Sequence, residues 1–84
     1  MSTDAIFTKF LPATDTRGSR IRAKFAIGGG AISVPFPHHL SGESAHELAA
    51  RTLIDKFNPE LLLIESAGIS SGFVFIAASK KHYA

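Results

Sequence analysis

Arg20, Arg22 and Lys24 alternate along one short stretch, with Arg17 just before them. On an extended strand, residues two apart share a face and stand roughly 7 Å from one another. Cations held that close repel unless an anion lies opposite. The chemistry this spacing offers is binding: nucleic-acid phosphates or an acidic protein surface. Arg17, Arg20, Arg22 and Lys24 are therefore the candidate partner-binding residues. The plainer alternative is a solvated strand face whose neighbour supplies Asp or Glu.

Other reactive residue types are present without a reactive arrangement. His38, His39 and His46 fall near Glu43. Zinc needs three or four ligands converging at about 2 Å, whereas adjacent histidines on an extended chain diverge. They are read as exposed side chains, with no metal and no cofactor. Serines are numerous, but none sits in a nucleophile-elbow pattern and no His–Asp partner is indicated. Gly28-Gly29-Gly30 lacks the following helix that a phosphate-binding loop requires; Ala31-Ile32-Ser33-Val34 reads as a strand, so the glycines form a hairpin turn. Gly72-Phe73-Val74-Phe75 partly matches the aromatic strand of RNA-recognition motifs. Ser71 stands where a basic residue belongs, Val74 where a small one belongs, and Ala78 where the last aromatic belongs. Phe73 and Phe75 are accordingly assigned to the core. No catalytic residue and no small-molecule substrate emerge, and the chain is expected to be non-enzymatic.

The elements that must position these residues follow from periodicity. Ala5 to Phe10 forms a short strand or an arm. Ser19 to Ile27 alternates Ile21, Ala23, Phe25 and Ile27 with Arg20, Arg22, Lys24 and Ala26, the pattern of a half-buried strand. Ala31 to Phe36 returns, ended by Pro35 and Pro37. A helix follows, with Ser44 as N-cap and Glu47 at N3 of a capping box. Its apolar stripe is Ala45, Leu48, Ala49, Thr52, Leu53 and Phe57, with His46, Glu47, Arg51 and Asp55 turned outward. Asn58-Pro59 stops it. Leu61 to Ser66 and Phe73 to Ala78 are the last strands, joined by a turn over Ala67 to Gly72. The fold class is α+β: an antiparallel sheet of four or five strands with one helix on one face, in the order ββαββ.

Eighty-four residues make one domain, 1–84, with flexible ends at 1–4 and 80–84. A chain this short buries only about 60–65% of its unfolded surface. There is no cysteine to staple it, which fits a reducing, cytoplasmic setting, as does the polar start. Its apolar runs, Leu61 to Ile64 among them, are far too short to span a bilayer. Net charge is +2, low for a dedicated nucleic-acid binder, but residues 1–40 hold five basic and two acidic residues while 41–84 hold four and five. Leu61 to Ile64 and Phe73 to Ile76 are apolar on both strand faces, a trait of strands covered on both sides. One helix covers one face. The second face calls for the N-terminal segment with Phe7 and Phe10, a second copy of the chain, or another protein.

Taken together, Thr16-Arg17-Gly18-Ser19-Arg20-Ile21-Arg22-Ala23, Val34-Pro35-Phe36, Glu43-Ser44-Ala45-His46-Glu47-Leu48-Ala49-Ala50 and Gly72-Phe73-Val74-Phe75 resemble a group of very small proteins of bacterial genomes, phages and mobile elements. The resemblance spans about residues 12–78. It brings no residue roles with it. It implies an accessory protein of mobile DNA that inhibits or modulates host machinery by steric binding, as anti-CRISPR proteins do. The expected function is thus an interaction protein of anti-CRISPR type, with a small nucleic-acid-binding accessory module as the alternative.

Overall fold

The computed structural model describes residues 3–70 and 72–80. Five strands and one helix follow one another as β1 (Thr3–Leu11), β2 (Arg20–Phe25), β3 (Ala31–Pro35), α1 (Gly42–Phe57), β4 (Leu61–Ile69) and β5 (Gly72–Ser79). They build one sheet in the order β3-β2-β1-β5-β4, with every neighbouring pair antiparallel. The α+β class with one helix on the sheet is as the sequence implies. The order ββαββ is not: the N-terminal segment is a full strand, and it lies at the centre. Thr3 and Asp4, expected in a flexible end, belong to β1, and Lys80, expected in the other, donates its N–H to the Glu60 carbonyl at 2.7 Å; the remaining end residues 1–2 and 81–84 lie outside those described.

The strands alternate in and out as their sequences require. Ile6 and Thr8 of β1, Ile21, Ala23 and Phe25 of β2, and Phe75 and Ala77 of β5 are buried beneath α1. Phe73 packs against this core, which confirms the assignment of both Gly72–Phe75 aromatics to the helix side. Leu61 is buried and Leu63 joins the core edge. Between Leu63 and Glu65 the register slips at Ile64, a β-bulge that accommodates one extra residue. The β4–β5 hairpin is longer than expected: β4 continues to Ile69 and pairs it with Gly72.

The helix differs in phase from its expected stripe. Its buried residues are Ala45, His46, Ala49, Ala50, Leu53 and Ile54, whereas Leu48 is 42% exposed and Phe57 also faces outward. Two columns, 45-49-53 and 46-50-54, meet the sheet. Alanines at 45, 49 and 50 let the helix backbone approach closely, and the bulkier Leu48 would hold it off. The start also differs. Ser41, not Ser44, is the N-cap, and it makes no side-chain capping bond. The Ala45 N–H already donates to the Ser41 carbonyl at 2.8 Å, so Ser44 lies within the first turn. Glu47 pairs with Arg51 at 2.9 Å rather than reaching back to the cap. The C-terminus is as read, with Asn58 donating to the Ile54 carbonyl at 2.8 Å before Pro59. Among the described residues no helix is long and apolar enough to cross a membrane.

The β2–β3 connection spans residues 26–30, so Ala26 and Ile27 leave the strand, and Ile27 is 81% exposed. Asp4 holds this loop: its carboxylate accepts the N–H of Ile27 and of Gly28, each at 3.0 Å. Gly30 alone of the three glycines has a positive φ, +126°, and a Cβ there would lie 3.1 Å from the Phe57 ring. Gly72 is more constrained. A Cβ on it would fall 2.9 Å from the Thr8 carbonyl carbon and closer still to its oxygen. Gly72→Ala must therefore push β1 and β5 apart, with an expected loss of about 1–3 kcal/mol. Urea denaturation measures it; a variant with the wild-type midpoint would show that the two central strands spread at no cost.

Candidate binding face of the sheet

The side of the sheet away from α1 carries the basic residues. Arg20, Arg22 and Lys24 alternate with buried Ile21, Ala23 and Phe25, so all three point to the open face. The β1 register places Leu11 beside Arg20, Lys9 beside Arg22 and Phe7 beside Lys24. On the other side β3 contributes Pro35, Ser33 and Ala31. Neither neighbour offers an acid, so the alternative of a ladder neutralised across the strands does not hold. Among the described residues the only salt bridge is Glu47–Arg51 on the helix. Among those residues the Arg20 Nε is the one buried side-chain polar atom without a hydrogen-bond partner.

Two contributors were not legible as site residues. Lys9 turns the ladder into a two-strand grid, and Phe7, 40% exposed, sits at its inner edge. Directly opposed residues in an antiparallel pair have Cβ atoms about 4.5–5.5 Å apart, so Lys9 and Arg22 are closer than any two ladder residues. In water such a pair costs below about 1 kcal/mol, which the fold tolerates while leaving a positive field. Period-two alternation in Ala5, Phe7, Lys9 and Leu11 was the available signal; Ile6 and Phe10 on the other face obscured it. Arg17 is not part of the grid. It lies in the exposed β1–β2 loop, where its N–H donates to Thr14 Oγ1 at 3.2 Å.

Across β1 the face becomes mostly apolar, with the exposed Glu65 of β4 beside Ile76 as its acidic residue. Val74 pairs with Phe7 and Ile76 with Ala5 on β5; beyond them Ala67 pairs with Val74 on β4. Leu62 and Ile69 are exposed. Of the three covers the sequence allowed, the N-terminal segment does not serve: β1 widens the sheet instead of roofing it. Phe10 turns to the helix side and meets Phe36 edge-on, ring centres 5.6 Å apart. A shallow depression of about 340 Å³ runs over the grid, lined by Phe7, Thr8, Lys9, Leu11, Arg22 and Lys24.

The histidines separate. His38 lies against Phe36, centroids 5.2 Å apart, and His39 is exposed. His46, expected outward, is 5% exposed and faces the core. Its Nδ1 meets Thr8 Oγ1 at 2.7 Å, and its ring lies 4.8 Å from that of Phe73. Thr8 Oγ1 also donates to the Phe73 carbonyl at 3.3 Å. A hydroxyl has one proton, so both contacts are made together when Nδ1 carries the imidazole hydrogen and donates to Thr8. Among the described residues no three His, Asp or Glu side chains gather where they could hold a metal ion. Comparison with family models, with curated proteins and with solved structures returned no match.

Burial lowers the His46 pKa below its ordinary value of 6.5 by desolvating the charged ring. As pH falls through 6.5 the unfolded ring takes up a proton that the folded one resists. The stability His46 contributes is present above that value and is lost below it. Between pH 7.5 and pH 5 the melting temperature is expected to fall, and to fall less in His46→Gln. Equal falls in both proteins would remove His46 as the cause.

Proposed function

We propose that this chain is a non-enzymatic binding protein, that its working surface is the open sheet face, and that its partner is a nucleic acid. The observation that carries the reading is the unneutralised grid of Arg20, Arg22, Lys24 and Lys9, with no carboxylate within salt-bridge distance among the described residues. Adjacent cations without counter-charges favour a ligand that is itself a row of regularly spaced anions, and phosphates are that ligand.

The inhibitor of anti-CRISPR type, expected from the sequence resemblance, is a second reading of the same surface. The exposed Leu62 and Ile69 on the β4 side of the same face favour it, since protein interfaces combine apolar and charged regions. On this reading an acidic protein patch takes the place of the phosphates.

Salt separates the two. Each phosphate neutralised releases counterions, so affinity for a single strand falls with a log–log slope of about −0.7 per contact. Three to four contacts give a slope of about −2 to −3. Arg22→Ala, at the centre of the grid, is expected to weaken binding to all sequences alike and to flatten the slope by about one contact. Fluorescence anisotropy with labelled oligonucleotides at several salt concentrations measures both. Absence of oligonucleotide binding at low salt would reject the nucleic-acid reading.

A further inference from the structure

We infer that the open face selects single-stranded nucleic acid, with the sugar–phosphate chain along β2 and the bases laid across β1 and β5, Phe7 being the stacking platform. This inference rests on the nucleic-acid reading above and names the form of the ligand. Its basis is the division of one sheet face into two halves. Arg20, Arg22 and Lys24 form a straight basic row on β2. Phe7, Val74 and Ile76 form an apolar strip one and two strands away. Phe7 stands at the boundary, paired with Lys24 on one side and Val74 on the other.

A duplex fits only half of this surface. Its exterior is sugar and phosphate, and the faces of its bases are stacked on one another. Laid on the sheet, it would satisfy the cations and leave Phe7, Val74 and Ile76 without apolar contact. A single strand presents both chemistries at once: a charged backbone on one side and flat aromatic faces on the other. Successive cations on β2 are roughly 7 Å apart, a spacing suited to successive phosphates of an extended strand. Bases turned from that line toward the sheet centre reach Phe7 first. Base stacking on an aromatic side chain is indifferent to sequence, since every base has a π-face. The site therefore discriminates by strandedness and not by base identity.

The experiment measures binding of a mixed-sequence DNA strand of about 12 nucleotides, the same sequence as a duplex, heparin, and vesicles containing anionic phospholipid. The single strand is expected to bind most tightly. Phe7→Leu keeps the apolar bulk of an exposed β position but removes the ring, and it is expected to weaken single-strand binding by about 5- to 150-fold. Phe7→Tyr is expected to retain it, and heparin binding is expected to be unchanged in both variants. Circular dichroism confirms that the variants fold. If single strand, duplex and heparin bind alike and Phe7→Leu changes nothing, the stacking platform is refuted while the basic grid stands. Preference for the vesicles, lost in Phe7→Leu, would reassign the apolar strip to lipid. Failure of every polyanion to bind would instead overturn the underlying nucleic-acid reading.

Discussion

The pairing of β1 with both β2 and β5 is the constraint on which the remaining structure depends. β1 is the middle strand of five, so removing it would leave two separate hairpins, β2–β3 and β4–β5. A two-stranded hairpin alone is marginal in water, and three or more strands with an apolar face are needed for independent stability. The β1–β5 pair joins residues near opposite ends of the chain, Thr3 to Ala78 among them. Closing so long a loop costs entropy before any contact compensates it. The compensation is concentrated at Ile6 and Thr8, which are almost wholly buried beneath the helix.

Thr8 also makes the link between sheet and helix specific. A buried hydroxyl is costly unless bonded, and Thr8 is bonded to His46 on α1 and to the Phe73 carbonyl on β5. Three elements thus meet at one polar point inside an otherwise apolar layer. Apolar contacts among alanine, isoleucine and phenylalanine tolerate sliding; a hydrogen bond between two buried groups does not. The pair therefore fixes the rotational phase of α1, turning 46-50-54 inward and leaving Leu48 outside. Gly72 complements it by letting β5 approach the Thr8 carbonyl.

One face of the sheet is covered by a single helix, and the other, the face proposed to bind, is open. The helix side holds the residues that stabilise the fold, and the open side holds residues that contribute little to it: four cations without a salt-bridge partner, a modest apolar strip and Glu65 at its β4 side. Separation of stability from binding is common where a rigid scaffold presents a site, because side chains freed from packing are free to meet a ligand. Here the separation is enforced by the two-residue period of β2, which places Ile21 and Ala23 in the core and Arg20, Arg22 and Lys24 on the surface.

The residue pattern by itself determined the fold class, the end of the helix at Asn58, the inward placement of Phe73 and Phe75, and the basic row on β2. Each follows from a local rule: the period of a strand, the restriction before proline, the steric needs of a ladder. Only the tertiary structure decided the place of β1, the phase of α1 and the membership of the site. β1 is apolar on both faces, so its pattern does not say whether it roofs a sheet or enters one; the free edges of β2 and β5 settle that. The helix had two possible flanks beside the 45-49-53 column, and the polar His46 argued for exposure until Thr8 supplied its partner. Lys9 and Phe7 joined Arg22 and Lys24 because antiparallel register brings together side chains that the sequence holds far apart. Local periodicity fixes the face on which a residue stands, and pairing across strands fixes its neighbours.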